Sequence, residues 1–454
     1  MNRGENNQLS RSPLDTPKDT DYYDAGAPFA PYETQKLWAA YSPYYSVQEY
    51  KPPPEECHLT QVNILQRHGA RYPTLGQSAR IATALMRLQE AVLYTDAHFE
   101  FIKNYEYDLN TDDLLPFGEH QMSESGRKSF VRYANLANEH NIPYVRASGS
   151  DRVIQSTVKW IDGFRNGSGG IIDPPLALVI PEIKGYNNTL DDKSCPNADH
   201  PDAPMDTWQN IYAKPIADRF NSIARGMPEN ITSDDAQALI TLCALETVAK
   251  EKYSSFCNLF TQSEFEDFEY AVDLDKFYFT GYGSALGPVQ GVGYINELLA
   301  RLTDQPVEDH TQTNYTLDSN PTTFPLGRGI YVDMSHDNLM VAVFSAMGLV
   351  NFNGHKAGGK LEPTKRDESR DFVVSRIVPF SGRMVVERMD CEFPGDARDV
   401  VEDKTYVRIL LNDAVQTLDF CEGVRGDGLC PLRSFVESQA YARGNGQGDW
   451  ERLT

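Results

Sequence analysis

Gln66 to Thr74 reads QRHGARYPT and follows a short apolar run that ends in Ile64 and Leu65. Two arginines on either side of a histidine, where a strand gives way to a turn, make a poor core and a good holder for a phosphoryl group. Arg67 and Arg71 keep their charge at any working pH and present planar forks that suit phosphate oxygens. Between them, the His68 imidazole should resist protonation, so one ring nitrogen keeps a lone pair even in acid and can serve as a nucleophile. Gly69 lets a ligand approach the backbone, and Pro73 stiffens the exit into the next helix.

Two later stretches repeat the pattern of a polar residue at the carboxyl end of a strand. Pro143 to Ser156, PYVRASGSDRVIQS, reads as strand, Gly/Ser turn and helix, with Arg146 at the strand end. Ligands collect at such ends in open α/β sheets, so Arg146 is a candidate third phosphate clamp, its alternative being a surface ion pair. Asp151 and Arg152 read as capping and packing residues of the following helix. Ile330 to Met334 is a buried-looking strand followed by SHDN at Ser335 to Asn338. His336 and Asp337 then either face the same pocket or cap the apolar helix that follows.

These clusters need elements to position them. Ser78 to Leu93 has Ile81, Leu85, Leu88 and Val92 at helical spacing, so a helix begins just after the histidine turn and its N-terminal dipole can face an anion. Trp208 to Ile223 and Ser233 to Val248 read as helices, and Asp273, Asp275 and Lys276 precede a Gly-rich loop. Phe372 to Pro379, Arg383 to Glu387 and Val407 to Leu411 alternate like strands, with Asn412-Asp413 as a hairpin turn. Trp38, Tyr41, Tyr44 and Tyr45 form an aromatic cluster that packs on the domain or rims a pocket. At 454 residues the chain exceeds one core. Residues 1–30 read as a mobile polar tail, 31–165 and 270–454 as a large α/β domain, and 166–269 as a smaller, mostly helical one, with helices in 80–140 free to join either.

The formal charge is −23, from 42 basic and 65 acidic residues, which argues against nucleic acid and anionic membrane surfaces as partners. An anionic substrate would meet less repulsion near pH 4 to 5, so an acidic working range is expected. No apolar run reaches the roughly 20 residues that span a bilayer, and the first residues carry no secretory h-region. Seven cysteines and the sequons at Asn166, Asn187, Asn230 and Asn314 nevertheless favour an oxidising, glycosylating compartment.

The ordered pair RHGARYP and SHDN, with VRASGSDRV between them, resembles the histidine acid phosphatase family, with a particular likeness to the secreted fungal phytases. The likeness continues through LLPFGE, FCNLFT, DLDKFY, LGPVQGVGYINELLARLT and YVRILLNDAVQ, from about Trp38 to Trp450. It implies a large α/β domain with a mainly parallel sheet of phosphoglycerate-mutase type beside a smaller α-helical domain. It implies a secreted acid phosphomonoesterase that converts phytate, myo-inositol hexakisphosphate, to lower inositol phosphates through a phosphohistidine, or a broad-specificity acid phosphatase. His68 would be the nucleophile, Asp337 the proton donor, and Arg67, Arg71, Arg146 and His336 the phosphate clamps, with no metal or other cofactor. Gln77 and Arg80 stand where many fungal phytases carry lysines, and Lys276 is either a further basic contact or an ion pair with Asp273 or Asp275. Family pattern pairs Cys57 with Cys391, Cys243 with Cys257 and Cys421 with Cys430, and leaves Cys195 over.

Overall fold

The structure, a computed structural model, describes residues 26–192, 203–350, 359–393 and 404–453. Most of the expected tail and Cys195 lie outside these residues. A mixed sheet organises the chain. Its main strands are β1 (Cys57–Arg67), β2 (Tyr144–Ser148), β3 (Leu176–Ile180), β4 (Ile330–Ser335), β5 (Arg383–Cys391) and β6 (Thr405–Leu411), with two short additions, β7 (Ala414–Val415) and β8 (Cys430–Pro431). Their order is β8-β6-β5-β1-β4-β2-β3, with β7 against β6. The half formed by β1, β4, β2 and β3 is parallel, and β5, β6 and β8 continue it antiparallel.

Register decides where the polar strand ends meet. Arg67 pairs with Ser335 across β1 and β4, and Ala147 pairs with Met334 across β2 and β4. The residues that follow β1, β2 and β4 therefore emerge together at one edge of the sheet. Strand β1, central in the sheet with β4 parallel on one side and β5 antiparallel on the other, is buried throughout its second half. Two of its glutamines bond internally: Gln66 Nε2 donates to the Ser381 carbonyl at 3.2 Å, and Gln61 Nε2 to the Arg301 carbonyl at 2.9 Å.

The helices used below are α1 (Leu75–Gln89), α2 (Pro116–Tyr133), α3 (Asp151–Gly167), α4 (Ala203–Ile223), α5 (Ser233–Lys250), α6 (Gln262–Phe279), α7 (Val292–Thr303) and α8 (Asp337–Met347). Thr74 and Gln77 close a reciprocal capping box at the start of α1, and Ile81, Leu85 and Leu88 are its buried stripe. Val92 lies past the end of that helix and is exposed. Helices α5 and α6 open on capping boxes of the same kind at Thr232 and Thr261. α4 packs against α5 and α6, and α1 against α5, which forms a helical cover beside the strand ends.

Two expectations are corrected. Residues 166–269 are not helical from their start, because Leu176–Ile180 pairs in parallel with β2 as the edge strand of the main sheet. Phe372 to Pro379 is not a strand. Its middle forms one helical turn, Val374–Ile377, whose first N–H donates to Asp273 at 2.7 Å. The expected hairpin at Asn412-Asp413 is present, with both residues at positive φ of 46° and 69° as a tight β-turn requires. Disulfides join Cys57 to Cys391, Cys243 to Cys257 and Cys421 to Cys430. Trp38, Tyr44 and Tyr45 are buried, whereas Tyr41 reaches the cavity described next. Among the described residues no helix is long and apolar enough to cross a membrane.

Candidate active site

A cavity of about 500 Å³ lies between the strand ends and the helical cover, and Arg71, Arg152, Lys276, His336 and Asp337 all line it. The turn after β1 is held by close backbone approach and by two side-chain acceptors. A Cβ on Gly118 would stand 2.1 Å from the Ala70 carbonyl oxygen, and one on Gly69 would stand 2.4 Å from that of Gly118, so two glycines are required where α2 begins. Gly69 N–H donates to Ser156 Oγ and Ala70 N–H to Gln121 Oε1, at 3.1 and 3.0 Å, which ties the turn to α3 and α2.

His68 is buried, and its Nδ1 lies 2.8 Å from the carbonyl oxygen of Gly69. A ring nitrogen against a carbonyl must carry the hydrogen, so the neutral ring has its lone pair on Nε2. Burial, and then the charges of Arg67, Arg152, His336 and Arg71, hold the imidazole well below its ordinary range. Arg67 uses Nη1 on the carbonyls of Ala40 and Val378, at 2.6 and 2.7 Å, and directs Nη2 to Asp337 at 3.1 Å. Arg71 donates to the Tyr72 carbonyl and to Gln77 Oε1, at 2.8 and 3.3 Å. Burial and the neighbouring Arg67 and Arg152 bring the Arg71 guanidinium down to about 10.

His336 is the N-cap of α8, and Asp337 is its first residue. The Asp337 carboxylate also lies 3.3 Å from Lys276 Nζ, and Lys276 donates to Asn338 Oδ1 at 2.5 Å. Burial pushes the Asp337 carboxyl up, but Arg67, Lys276, His68 and Arg71 outweigh it and hold it well below the usual carboxylate range. Lys276 is thus a wall of the site. Of its two suggested partners, Asp275 lies 4.0 Å away, and Asp273 is engaged by Arg370. Gln77 is a scaffold for the site: it caps α1, accepts from Arg71 and donates to the Tyr41 hydroxyl at 2.7 Å. Arg80 lines the outer cavity from α1.

Arg146 is not in the cavity. It pairs across the sheet with Asp333 of β4, donates to Asp333 Oδ1 at 2.5 Å, and binds Glu297 of α7 through both terminal nitrogens. Arg301 holds the other oxygen of Asp333 at 2.6 Å. Strand β2 runs two residues beyond Arg146, so this side chain falls on the covered face of the sheet instead of at its end. Arg152, read from the sequence as a packing residue, takes the place expected of Arg146. It is the second residue of α3, lines the cavity and lowers the pKa of both His68 and Arg71.

Sequence reasoning also missed Glu182, whose Oε1 lies 2.7 Å from His336 Nε2. The rule that located the other strand ends applies to it only once β3 is recognised as a strand, since Glu182 follows β3 as His336 follows β4. The run Leu176–Ile180 falls inside the segment that the sequence presents as mostly helical. Of the sequon asparagines, Asn166, Asn187 and Asn230 are exposed and Asn314 is half-buried. The Asn187 amide donates to the Thr313 carbonyl at 2.9 Å.

Comparison with known proteins identifies the lineage of the chain. Residues 58–412 match the family profile described as the histidine phosphatase superfamily, branch 2. The chain is 39% identical to Phytase A of Emericella nidulans over 431 residues, covering 91% of this chain and 89% of that protein. It is 38% identical to Phytase A of Aspergillus fumigatus over 446 residues, covering 94% and 93%. Among solved structures, the phytase from D. castellii superposes with a TM-score of 0.72 at 23% identity, covering 90% of this chain and 85% of that one. The multiple inositol polyphosphate phosphatase of Bifidobacterium longum, in complex with inositol hexasulfate, gives a TM-score of 0.63 at 13% identity, covering 90% and 98%. The two solved structures speak to the fold, and the profile and the fungal relatives to the lineage: the chain belongs to branch 2 of the histidine phosphatase superfamily.

Proposed function

We propose that the protein hydrolyses phosphomonoesters through a phosphohistidine on His68, with phytate as its main substrate. The observation that carries this reading is the setting of His68: a buried imidazole whose Nδ1 is committed to the Gly69 carbonyl and whose cationic surroundings favour its neutral form. Nε2 attacks phosphorus and the bond from phosphorus to the ester oxygen breaks, while Arg67, Arg71, Arg152 and His336 stabilise the charge on the equatorial oxygens. Asp337 protonates the leaving oxygen, then accepts a proton from the water that cleaves the phosphohistidine.

Arg67 and Lys276 hold the Asp337 carboxyl well below the usual carboxylate range, so in this reading its proton arrives with the substrate. A phosphate monoanion brings that proton, and its charge offsets the pull of Arg67 and Lys276 that keeps the carboxyl ionised. The relatives named Phytase A support phytate as the substrate, and Arg80 and Lys276 supply basic contacts beyond the scissile phosphate. Secretion fits the three disulfides and the fungal relatives.

One observation favours the broader phosphatase reading. Asp192, Asp206, Asp234 and Asp275 line the same cavity, and a polyanion meets them least in acid. Turnover of phytate against an aryl phosphate between pH 3 and 7, with acid-labile capture of labelled phosphate on wild type and His68→Ala, tests both points. A phytate preference with labelling lost in the variant is expected. Labelling retained in the variant, or turnover of aryl esters alone, overturns the respective part.

A further inference from the structure

Three donors converge on a single oxygen of Glu182. His336 Nε2 and Ser148 Oγ each lie 2.7 Å from Oε1, and the Ser150 N–H lies 3.0 Å from it. Glu182 follows β3, Ser148 ends β2, Ser150 caps α3, and His336 follows β4, so this carboxylate joins four elements at the point where they open into the cavity. Burial pushes the Glu182 carboxyl up, but the bond and charge of His336, with Ser148 and Ser150, outweigh it and bring it to about 2. It keeps its charge throughout the acid range.

The bond also limits what His336 can do. With Nε2 donating to the carboxylate, Nδ1 is the remaining nitrogen for an anion, and the ring stands edge-on to His68 with centroids 5.7 Å apart. For both nitrogens to donate, a ring must hold two protons, and a carboxylate on Nε2 offsets the charge of that form. Asp191 places a carboxylate oxygen within 4.8 Å of the Glu182 carboxylate and of a His336 ring nitrogen, and His336 in turn acts on His68.

We propose that Glu182 is a positioning residue for phosphoryl transfer: its carboxylate fixes the His336 ring and supplies the charge that lets Nδ1 donate to a phosphate oxygen. This rests on the phosphohistidine reading above. Glu182→Gln isolates the charge, because an amide oxygen can still accept all three hydrogen bonds. The measurements are kcat/KM for an aryl phosphate and Ki for inorganic phosphate across pH, with thermal unfolding, on the full chain. E182Q should bind phosphate about tenfold more weakly, and its kcat/KM should begin to fall at a pH about one unit lower than in wild type, with the unfolding midpoint little changed. E182D keeps the charge but lengthens the contact, so it should move the same limb by less, and it answers the question even if E182Q fails to fold. A pH profile that superimposes on wild type, or a loss uniform across pH with Ki unchanged, overturns the proposal. Absence of turnover in wild type defeats the phosphatase reading instead.

Discussion

The carboxylate of Asp337 lies 3.1 Å from the guanidinium of Arg67, and the Lys276 ammonium lies 3.3 Å from the same oxygen. Under the proposed mechanism this carboxylate is the general acid, and two cations hold it in the ionised form until an anion arrives, so acid function and substrate binding should be coupled. Asp337→Asn separates them. It removes the proton donor, so turnover of esters with poor leaving groups should fall about 10²- to 10⁴-fold, and turnover of activated aryl phosphates much less. It also removes a competing negative charge, so inorganic phosphate should inhibit the variant at lower concentration than wild type. Steady-state kinetics with two leaving groups and phosphate Ki values check both outcomes, and equal slowing of both esters counts against Asp337 as the donor.

Arg152 and Arg146 should fail in opposite ways. Arg152→Ala removes a cation beside His68, so kcat/KM should drop by about 10²-fold or more with the unfolding midpoint almost unchanged. Arg146→Ala leaves the buried Asp333 and Glu297 short of a partner and should destabilise the fold by about 3–5 kcal/mol. Parallel thermal melts and kinetics on the two variants distinguish them. The reverse pattern would return Arg146 to the role its spacing suggested.

That pair shows what the sequence carried and where it stopped. The turn after β1 and the SHDN turn after β4 were legible because each couples an apolar strand to an abrupt polar turn, and parallel register then brings the two ends together. Lys276 was legible only as one of two alternatives, since its side chain is placed by α6 docking against α8. Arg146 and Arg152 lie six positions apart, and choosing between them depends on where β2 ends. A buried polar strand residue and a strand-end residue look alike in a sequence, and only the pairing of Arg146 with Asp333 separates them. Glu182 was out of reach for a related reason: Leu176–Ile180 alternates half-buried and exposed positions at a sheet edge and so lacks the continuous apolar signal of β1 and β4.

The Cys57 to Cys391 disulfide joins directly paired residues of β1 and β5 that are 334 positions apart. A bridge closing so long a loop limits the unfolded chain strongly, and β1 carries the histidine turn at its other end. Replacing both cysteines by serine should cost about 2–5 kcal/mol, measured by denaturant unfolding, while kcat at low temperature stays near wild type. A loss of kcat in protein that is still folded would show that the bridge also sets the geometry of the site.

Arg370 stands between two buried carboxylates, donating to Glu269 Oε2 at 3.0 Å and to Asp273 Oδ2 at 2.6 Å. One cation cannot offset both. Burial and then the charge of Asp273 push the Glu269 carboxyl from 4.5 up to about 7, against the pull of Arg370 and the Ser375 hydroxyl. A carboxyl raised in the folded state contributes stability that is fully present below its unfolded value, near 4.5, and is lost as the pH rises through about 7. The contact fixes α6, which carries Lys276, to the segment around Val374 and Ser375. Glu269→Gln mimics the protonated side chain and removes this titration. Relative to wild type, E269Q should therefore gain up to about 3 kcal/mol between pH 4.5 and 8, read as the changing gap between the two unfolding curves. A gap that stays constant over that range would place the proton of this cluster on another group.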